Sequence, residues 1–297
     1  MLDFRNLEPL LARHGASLSR SVPGFTIGDT VFDFDRRHLV GVINLSTDSW
    51  YKESVCATPA QAIQRGRELA ASGAAIIDIG AESSLPHAAR RTPQEQLDLL
   101  KPVVESLTES GLLVSVESYH PEVLLRTAEV GAKVFNLTGM KEAQEVFALA
   151  ARFDCAVILC YVQGEHVRSV GDFQLERDMV PKLLDYFRDL LSRANAMGVT
   201  KCFIDPGLGF YYRNLQDSAL RVTHQIDTFL NAFRLWELEK PVFNILPHAP
   251  EAFGPRERRA AEPFFAVLAC LGGTHVIRTH EVEKVRRVLD ALELYQP

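Results

Sequence analysis

Cysteine chemistry is largely missing from this sequence. The five cysteines, Cys56, Cys155, Cys160, Cys202 and Cys270, are odd in number, widely spaced and without a C-x-x-C pair. That excludes a disulfide framework and a zinc knuckle as the basis of the fold and leaves buried free thiols as the expectation. No apolar run approaches the ~20 residues that span a bilayer, so no membrane partner is expected. The opening MLDFRNLEPLLARHG is charged and amphipathic and lacks the pattern of a secretory leader, which points to the cytoplasm. A basic excess is absent too: 32 Lys and Arg stand against 38 Asp and Glu, which argues against nucleic acid as a partner. A small anionic substrate stays open, because a few local cations or helix N-termini suffice to hold one.

What is present is alternation. Eight short apolar runs recur after about residue 37: HLVGVINL, AAIIDIG, LLVSVES, AKVFNL, CAVILCYV, KCFIDPG, PVFNIL and THVIRTH. Each reads as a strand buried on both faces. Amphipathic segments separate them. One opens with Thr58-Pro59, an N-cap followed by a proline in the first turn, and closes at Gly73. Another opens with Thr92-Pro93 and carries Glu95 at the capping-box position. Further helices are predicted over 121–131, 141–153, 176–198, within 215–239, and over 256–273 and 281–295. Strict β/α alternation with this count predicts a closed (β/α)8 TIM barrel, and no glycine-rich fingerprint suggests an open nucleotide-binding sheet. FTIGDTVFDF, with Gly28-Asp29 at its centre, predicts a hairpin that plugs the lower end of the barrel. With no linker or low-complexity tract, residues 1–297 read as one domain, of which 1–37 form an N-terminal extension and hairpin.

Barrel enzymes place their chemistry at the C-terminal ends of the strands. Those ends carry Asn44, Ser46, Thr47 and Asp48; Asp78, Glu82, Ser83 and Ser84; Glu117 and Ser118; Asn136; Tyr161 and Gln163; Asp205; Asn244 and His248; Arg278 and His280. Glu117, Asn136 and Asp205 end three apolar strands, where an uncompensated carboxylate is costly. Together they offer acceptors to a flat ring with several N–H donors, since a carboxylate pairs bidentately with a guanidine-like edge. The plainer alternative is that each caps a helix or ties a loop. The first and last strands become neighbours on closure, which brings Asn44 beside Arg278 and His280. That trio suits a phosphate or pyrophosphate, unless Arg278 instead pairs with a carboxylate such as Asp48 or Glu82.

In this order the motifs resemble those of dihydropteroate synthase. GVINLSTDSW is similar to G-x-x-N-x-T-P-D-S-F, IIDIGAESSLPH to I-D-x-G-G-E-S-T-R-P-G, and SVESYHPEV to S-x-D-T-x-x-x-x-V. FNLTG follows N-D-I-x-G less closely, FIDPGLGF follows L-D-P-G-x-G-F closely, and VIRTHEV mirrors I-R-V-H-D-V. The resemblance spans about residues 38–290. It implies a barrel that condenses 6-hydroxymethyl-7,8-dihydropterin pyrophosphate with para-aminobenzoate and releases pyrophosphate, usually with Mg2+, and that dimerises through late helices. By position, Glu117, Asn136 and Asp205 would hold the pterin, with Gly209, Ser84 and His248 around it. Asn44, Arg278 and His280 would hold the pyrophosphate, and Asn44 its metal.

The departures from that pattern are specific. Glu117 stands for an aspartate, Leu85 for a loop arginine, Leu137 for an aspartate and Tyr161 for a histidine. The family's S-R-K after the seventh strand reads Leu246-Pro247-His248, with His248 the candidate donor to the pterin. FYYRNL replaces a glycine-lysine pair and offers Arg213 as a substitute cation. The floor and anion corner are kept while the acceptor-side loops differ, which leaves the arylamine open: para-aminobenzoate or a variant acceptor. Two other readings remain, a non-catalytic pterin-binding paralogue and a pterin-dependent methyltransferase domain.

Overall fold

A computed structural model describes residues 2–46, 51–83, 88–210, 212–215, 219–254 and 257–295. A helix α1 (Phe4–His14) opens the chain, capped by Asp3. The predicted hairpin follows, as β1 (Phe25–Ile27) and β2 (Thr30–Phe32) paired antiparallel about Gly28, whose φ is +55°. Glycine fits there because a left-handed turn residue carries no Cβ penalty.

Eight parallel strands come next: β3 (His38–Asn44), β4 (Ala74–Gly80), β5 (Val114–Glu117), β6 (Val134–Leu137), β7 (Ala156–Cys160), β8 (Cys202–Asp205), β9 (Phe243–Ile245) and β10 (Val276–Thr279). Their spatial order is β8-β7-β6-β5-β4-β3-β10-β9, and a parallel bridge between Ile204 and Val242 joins β8 to β9. The sheet therefore closes, and the architecture is a (β/α)8 barrel. The hairpin does plug it: Ile27, Phe32 and Phe34 pack with Val40, Ile76, Phe203, Phe243 and Val276 inside the barrel. Phe203 meets the Phe25 and Phe32 rings edge to face at 5.2 and 5.9 Å. Phe32 and Phe203 are fully buried, and each contributes roughly 1.5–3 kcal/mol. One end of the barrel is thus filled, and the opposite end carries the polar strand ends.

The helices are α2 (Pro59–Ala71), α3 (Pro93–Glu109), α4 (Pro121–Ala128), α5 (Ala143–Phe153), α6 (Val180–Ala196), α7 (Ala219–Leu230), a short α8 (Pro250–Phe253), α9 (Arg258–Leu271) and α10 (Val282–Glu293). Both predicted caps form. Thr58 Oγ accepts from the Gln61 amide, and Glu95 closes a capping box on the Thr92 amide at 2.7 Å. Two helices differ from expectation. The segment 176–198 becomes helical only at Val180, with Pro181 in its first turn. The segment 215–239 leaves α-geometry at Asn231 and tightens to a 3-10 helix, Ala232–Leu238. The tighter turn lays Trp236 against the left-handed Gly273, whose carbonyl accepts from the indole N–H at 2.9 Å.

Candidate active site

The open end of the barrel holds a cavity whose floor is built from strand ends. Asp78, on β4, is completely buried and accepts from two partners: Asn136 Nδ2 of β6 at 3.1 Å and Arg278 Nε of β10 at 2.7 Å. Arg278 Nη2 donates to Glu117 Oε2 of β5 at 2.6 Å. One guanidinium therefore bridges two carboxylates across the barrel, a charge-assisted geometry whose loss would strand two buried acids. The extra methylene of Glu117 finds its use here, carrying the carboxylate inward past Gly80 to Arg278. Asp205 ends β8 and accepts from the Gly207 amide at 2.8 Å. Gly207 has φ +79°, and a Cβ there would collide with the Tyr161 carbonyl oxygen.

Burial sets the protonation of this floor. It raises Glu117 to about 7 against the opposing pull of Arg278. It raises Asp205 to about 6 against the Gly207 amide and Arg278. The Cys160 thiol lies between Asn136 Oδ1 and Asp205 Oδ2, at 3.4 and 3.6 Å. Burial pushes that thiol well above its ordinary value, so it stays neutral. The floor therefore presents acceptors that ionise near neutrality, the state a ring edge with several N–H donors requires.

The second group lies at the joined edge of β3 and β10. Asn44 Nδ2 donates to Ser54 Oγ at 2.6 Å, which leaves Oδ1 as the amide's remaining acceptor. His280 Nδ1 meets Glu262 Oε1 at 2.7 Å, and burial holds the imidazole below its ordinary value. His248 does not reach toward the floor. Its Nε2 meets the same Glu262 oxygen at 3.0 Å, and its ring stacks on Tyr51 at 4.7 Å and 18°. Asn44, Arg278, His280, Glu117, Asn136, Asp205, Gly209 and His248 all line this one cavity. Gly209 is needed for its size, since a Cβ would fall 2.8 Å from Ile245 Cγ2. Ser84, Thr47, Asp48 and Leu85 lie outside the described residues.

Several strand-end residues are elsewhere. Arg278 pairs with Asp78 and Glu117, not with Glu82, so one cation serves two of the floor's carboxylates. Glu82 is taken by Arg168, Gln96 and Tyr119. Arg168 also donates to the carbonyls of Ser83, at 2.5 Å, and Ala88, at 2.6 Å, tying the loop after β4 to the one after β7. Tyr161 and Gln163 bond each other and turn toward Tyr186 and Gln174. Asn244 bonds Thr274, and Arg213 forms a bidentate surface pair with Asp172. Cys160 and Tyr51 also line the cavity and Glu262 stands behind its two histidines, none of them marked by a strand-end position in the sequence. Glu262 had one readable signal, a lone acid on the apolar face of α9, in AAEPFFAV.

The family model described as pterin binding enzyme matches residues 40–280, most of the chain, from within the first barrel strand through the last. The chain belongs to that family. Among its relatives is the dihydropteroate synthase of Escherichia coli strain K12, 27% identical over 89% of this chain and 93% of that protein. Another is the folate synthesis bifunctional protein of Arabidopsis thaliana, 28% identical over 96% of this chain; the match spans 62% of the plant protein's length. Two structures of the Thermus thermophilus dihydropteroate synthase, in complex with 4-aminobenzoate and with 6HMPPP, each superpose with a TM-score of 0.74 at 26% identity, over 92% of this chain and 100% of that one.

Proposed function

We propose that this pterin-binding barrel is a transferase of the dihydropteroate synthase type. It condenses 6-hydroxymethyl-7,8-dihydropterin pyrophosphate with an arylamine, para-aminobenzoate or a variant acceptor. The observation that carries this reading is the joined site: a buried acceptor floor of Asp205, Asn136 and Glu117 continuous, through Arg278, with Asn44 and His280. A pterin needs the first half, and only a substrate with a leaving group uses the second. The arylamine nitrogen bonds to the pterin methylene carbon as its C–O bond breaks, the electron pair leaves with pyrophosphate, and the nitrogen loses its proton. Stabilising the leaving group is therefore the main demand.

Arg278 Nη1 has no partner among the described residues, so it is the donor left for a phosphate oxygen. Asn44 Oδ1 fits Mg2+, which takes few protein oxygens and completes its shell with water and substrate phosphate. When bound, that ion neutralises charge on the leaving pyrophosphate. A cytoplasmic setting belongs to the same reading; separately, no helix among the described residues is long and apolar enough to cross a membrane. Phe264 and Leu271 of α9 are 43% and 66% exposed and support a homodimer through that helix. One buried cluster running from Leu39 to Leu289, together with the hairpin-plugged barrel interior, supports reading residues 1–297 as a single domain.

A second reading, a non-catalytic pterin binder, has one observation in its favour: among the described residues, no lysine lines the cavity. Measuring pyrophosphate release from the pterin pyrophosphate across a panel of arylamines separates the two. The transferase releases it with at least one arylamine, and the binder with none.

A further inference from the structure

The corner formed by His248, Glu262 and His280 is built from the wrong groups for an anion site alone. Their three ligand atoms lie within 4.8 Å of one another. Both imidazoles address a single carboxylate oxygen, Oε1, from His248 Nε2 at 3.0 Å and His280 Nδ1 at 2.7 Å. The other oxygen, Oε2, is fixed from behind by the Thr279 hydroxyl and by the backbone amides of His280 and Glu281, at 3.0 and 3.2 Å. Tyr51 lies against both rings, at 4.7 and 4.6 Å between centroids, and sets their planes. Oriented ligands with a hydrogen-bonded carboxylate behind them are how metal sites hold their geometry.

Charge balance points the same way. Glu262 is 0% exposed, and a buried carboxylate is costly without a cation. Among the described residues, no lysine or arginine pairs with it. Arg259 and Lys284 are taken by Glu281, and Arg278 by Asp78 and Glu117. Yet His248 and His280 border the cavity that the proposed reading fills with a pyrophosphate. Two anions would face each other across a corner where Arg278 is already shared and the cavity's other described guanidinium, Arg221, pairs with Glu251.

We infer that His248, Glu262 and His280 form a binding site for a divalent transition metal of the Zn2+ class, with its open coordination position toward the cavity. Two imidazole nitrogens and one carboxylate oxygen are the donors of a three-ligand site with room for an exogenous oxygen. Imidazole donors favour Zn2+ or Co2+ over Mg2+, which separates this site from the oxygen of Asn44. The ion would balance Glu262 and accept a phosphate oxygen. That last role rests on the proposed pyrophosphate reading, whereas the site itself does not.

The test is to strip the full-length protein with chelator and titrate it with Co2+ alone, without pterin, following the visible absorption. Zn2+ is then added as competitor. The expected result is about one Co2+ per chain, with the intense bands of a four- or five-coordinate nitrogen-containing site, displaced by Zn2+. Glu262→Gln and His248→Ala should weaken binding by roughly 100-fold or more, while Asn44→Ala keeps the bands. His248 lies on a loop, so His248→Ala guards against loss of fold in the Glu262 variant, and thermal melts check both. Substoichiometric Co2+ without such bands, or bands that survive in both variants, would overturn the inference. Because no pterin is present, that outcome leaves the transferase reading standing, and failure of pyrophosphate release leaves the metal result standing.

Discussion

Replacing Asp205 with asparagine separates what the floor does for binding from what it does for folding. The side chain is 4% exposed, and burial lifts its folded value from 3.8 to about 6. Two units at 1.36 kcal/mol each place the cost of its ionised form on the order of 2–3 kcal/mol. The sign follows from linkage. A folded value above the unfolded one gives stability that is fully present below about pH 4 and lost as pH rises through about 6. Asp205→Asn keeps an acceptor for the Gly207 amide and cannot ionise, so at pH 8 its thermal midpoint should equal or exceed that of the parent. At pH 4 the advantage disappears. Pterin binding should move the opposite way. On the proposed reading the amide would present N–H groups where the pterin presents its own, and losing a charged hydrogen bond costs ~1.5–3 kcal/mol, roughly 10- to 150-fold in Kd. Calorimetry with 6-hydroxymethylpterin at pH 8, paired with a melt, reads both quantities. Unchanged affinity, or a clear loss of stability at pH 8, would refute the assignment of Asp205 as a buried acceptor held ionised for the ligand.

Arg278→Met leaves Asp78 and Glu117 buried without their cation, which costs ~3–5 kcal/mol and lowers the melting midpoint on the order of 10 °C; a denaturation curve measures it. Arg168→Met should cost ~3 kcal/mol by stranding Glu82, and adding Glu82→Gln should recover part of that, as a double-mutant cycle would reveal. Gly207→Ala forces a side chain into a left-handed residue against Tyr161, so it should destabilise the protein by more than about 1 kcal/mol and weaken pterin binding through Asp205. Pterin affinity should strengthen as pH rises through about 6 and about 7, where Asp205 and Glu117 ionise, and calorimetry across that range checks the slope.

The barrel was legible because its determinants are local. Apolar runs such as AAIIDIG, caps such as Thr92 with Glu95, and the Gly28-Asp29 turn each carry their own signal, and all three form as read. The cavity was legible as a list, since strand ends must converge in a closed barrel. Its wiring was not. Which carboxylate takes Arg278 depends on the distance across the barrel, and Asp78, two residues before its strand ends, takes it together with Glu117. His248 read as a donor to the pterin, yet Glu262, fourteen positions later in sequence and on a helix outside the barrel, captures it. A helix residue reaching in behind two strand ends leaves no periodic mark. Cys160 was hidden differently: in an apolar strand a thiol reads as core, and here it is core that also faces Asn136 and Asp205.

The central claim is that one site joins a pterin floor to a leaving-group corner. It is tested most directly by titrating the protein with 6-hydroxymethylpterin and with its 7,8-dihydro pyrophosphate in the presence of Mg2+, then adding arylamines and following free pyrophosphate. The account predicts tighter binding of the pyrophosphate, a gain that falls in Arg278→Met, and pyrophosphate release with at least one arylamine. Equal affinity for the bare pterin, with no release from any arylamine, would contradict it.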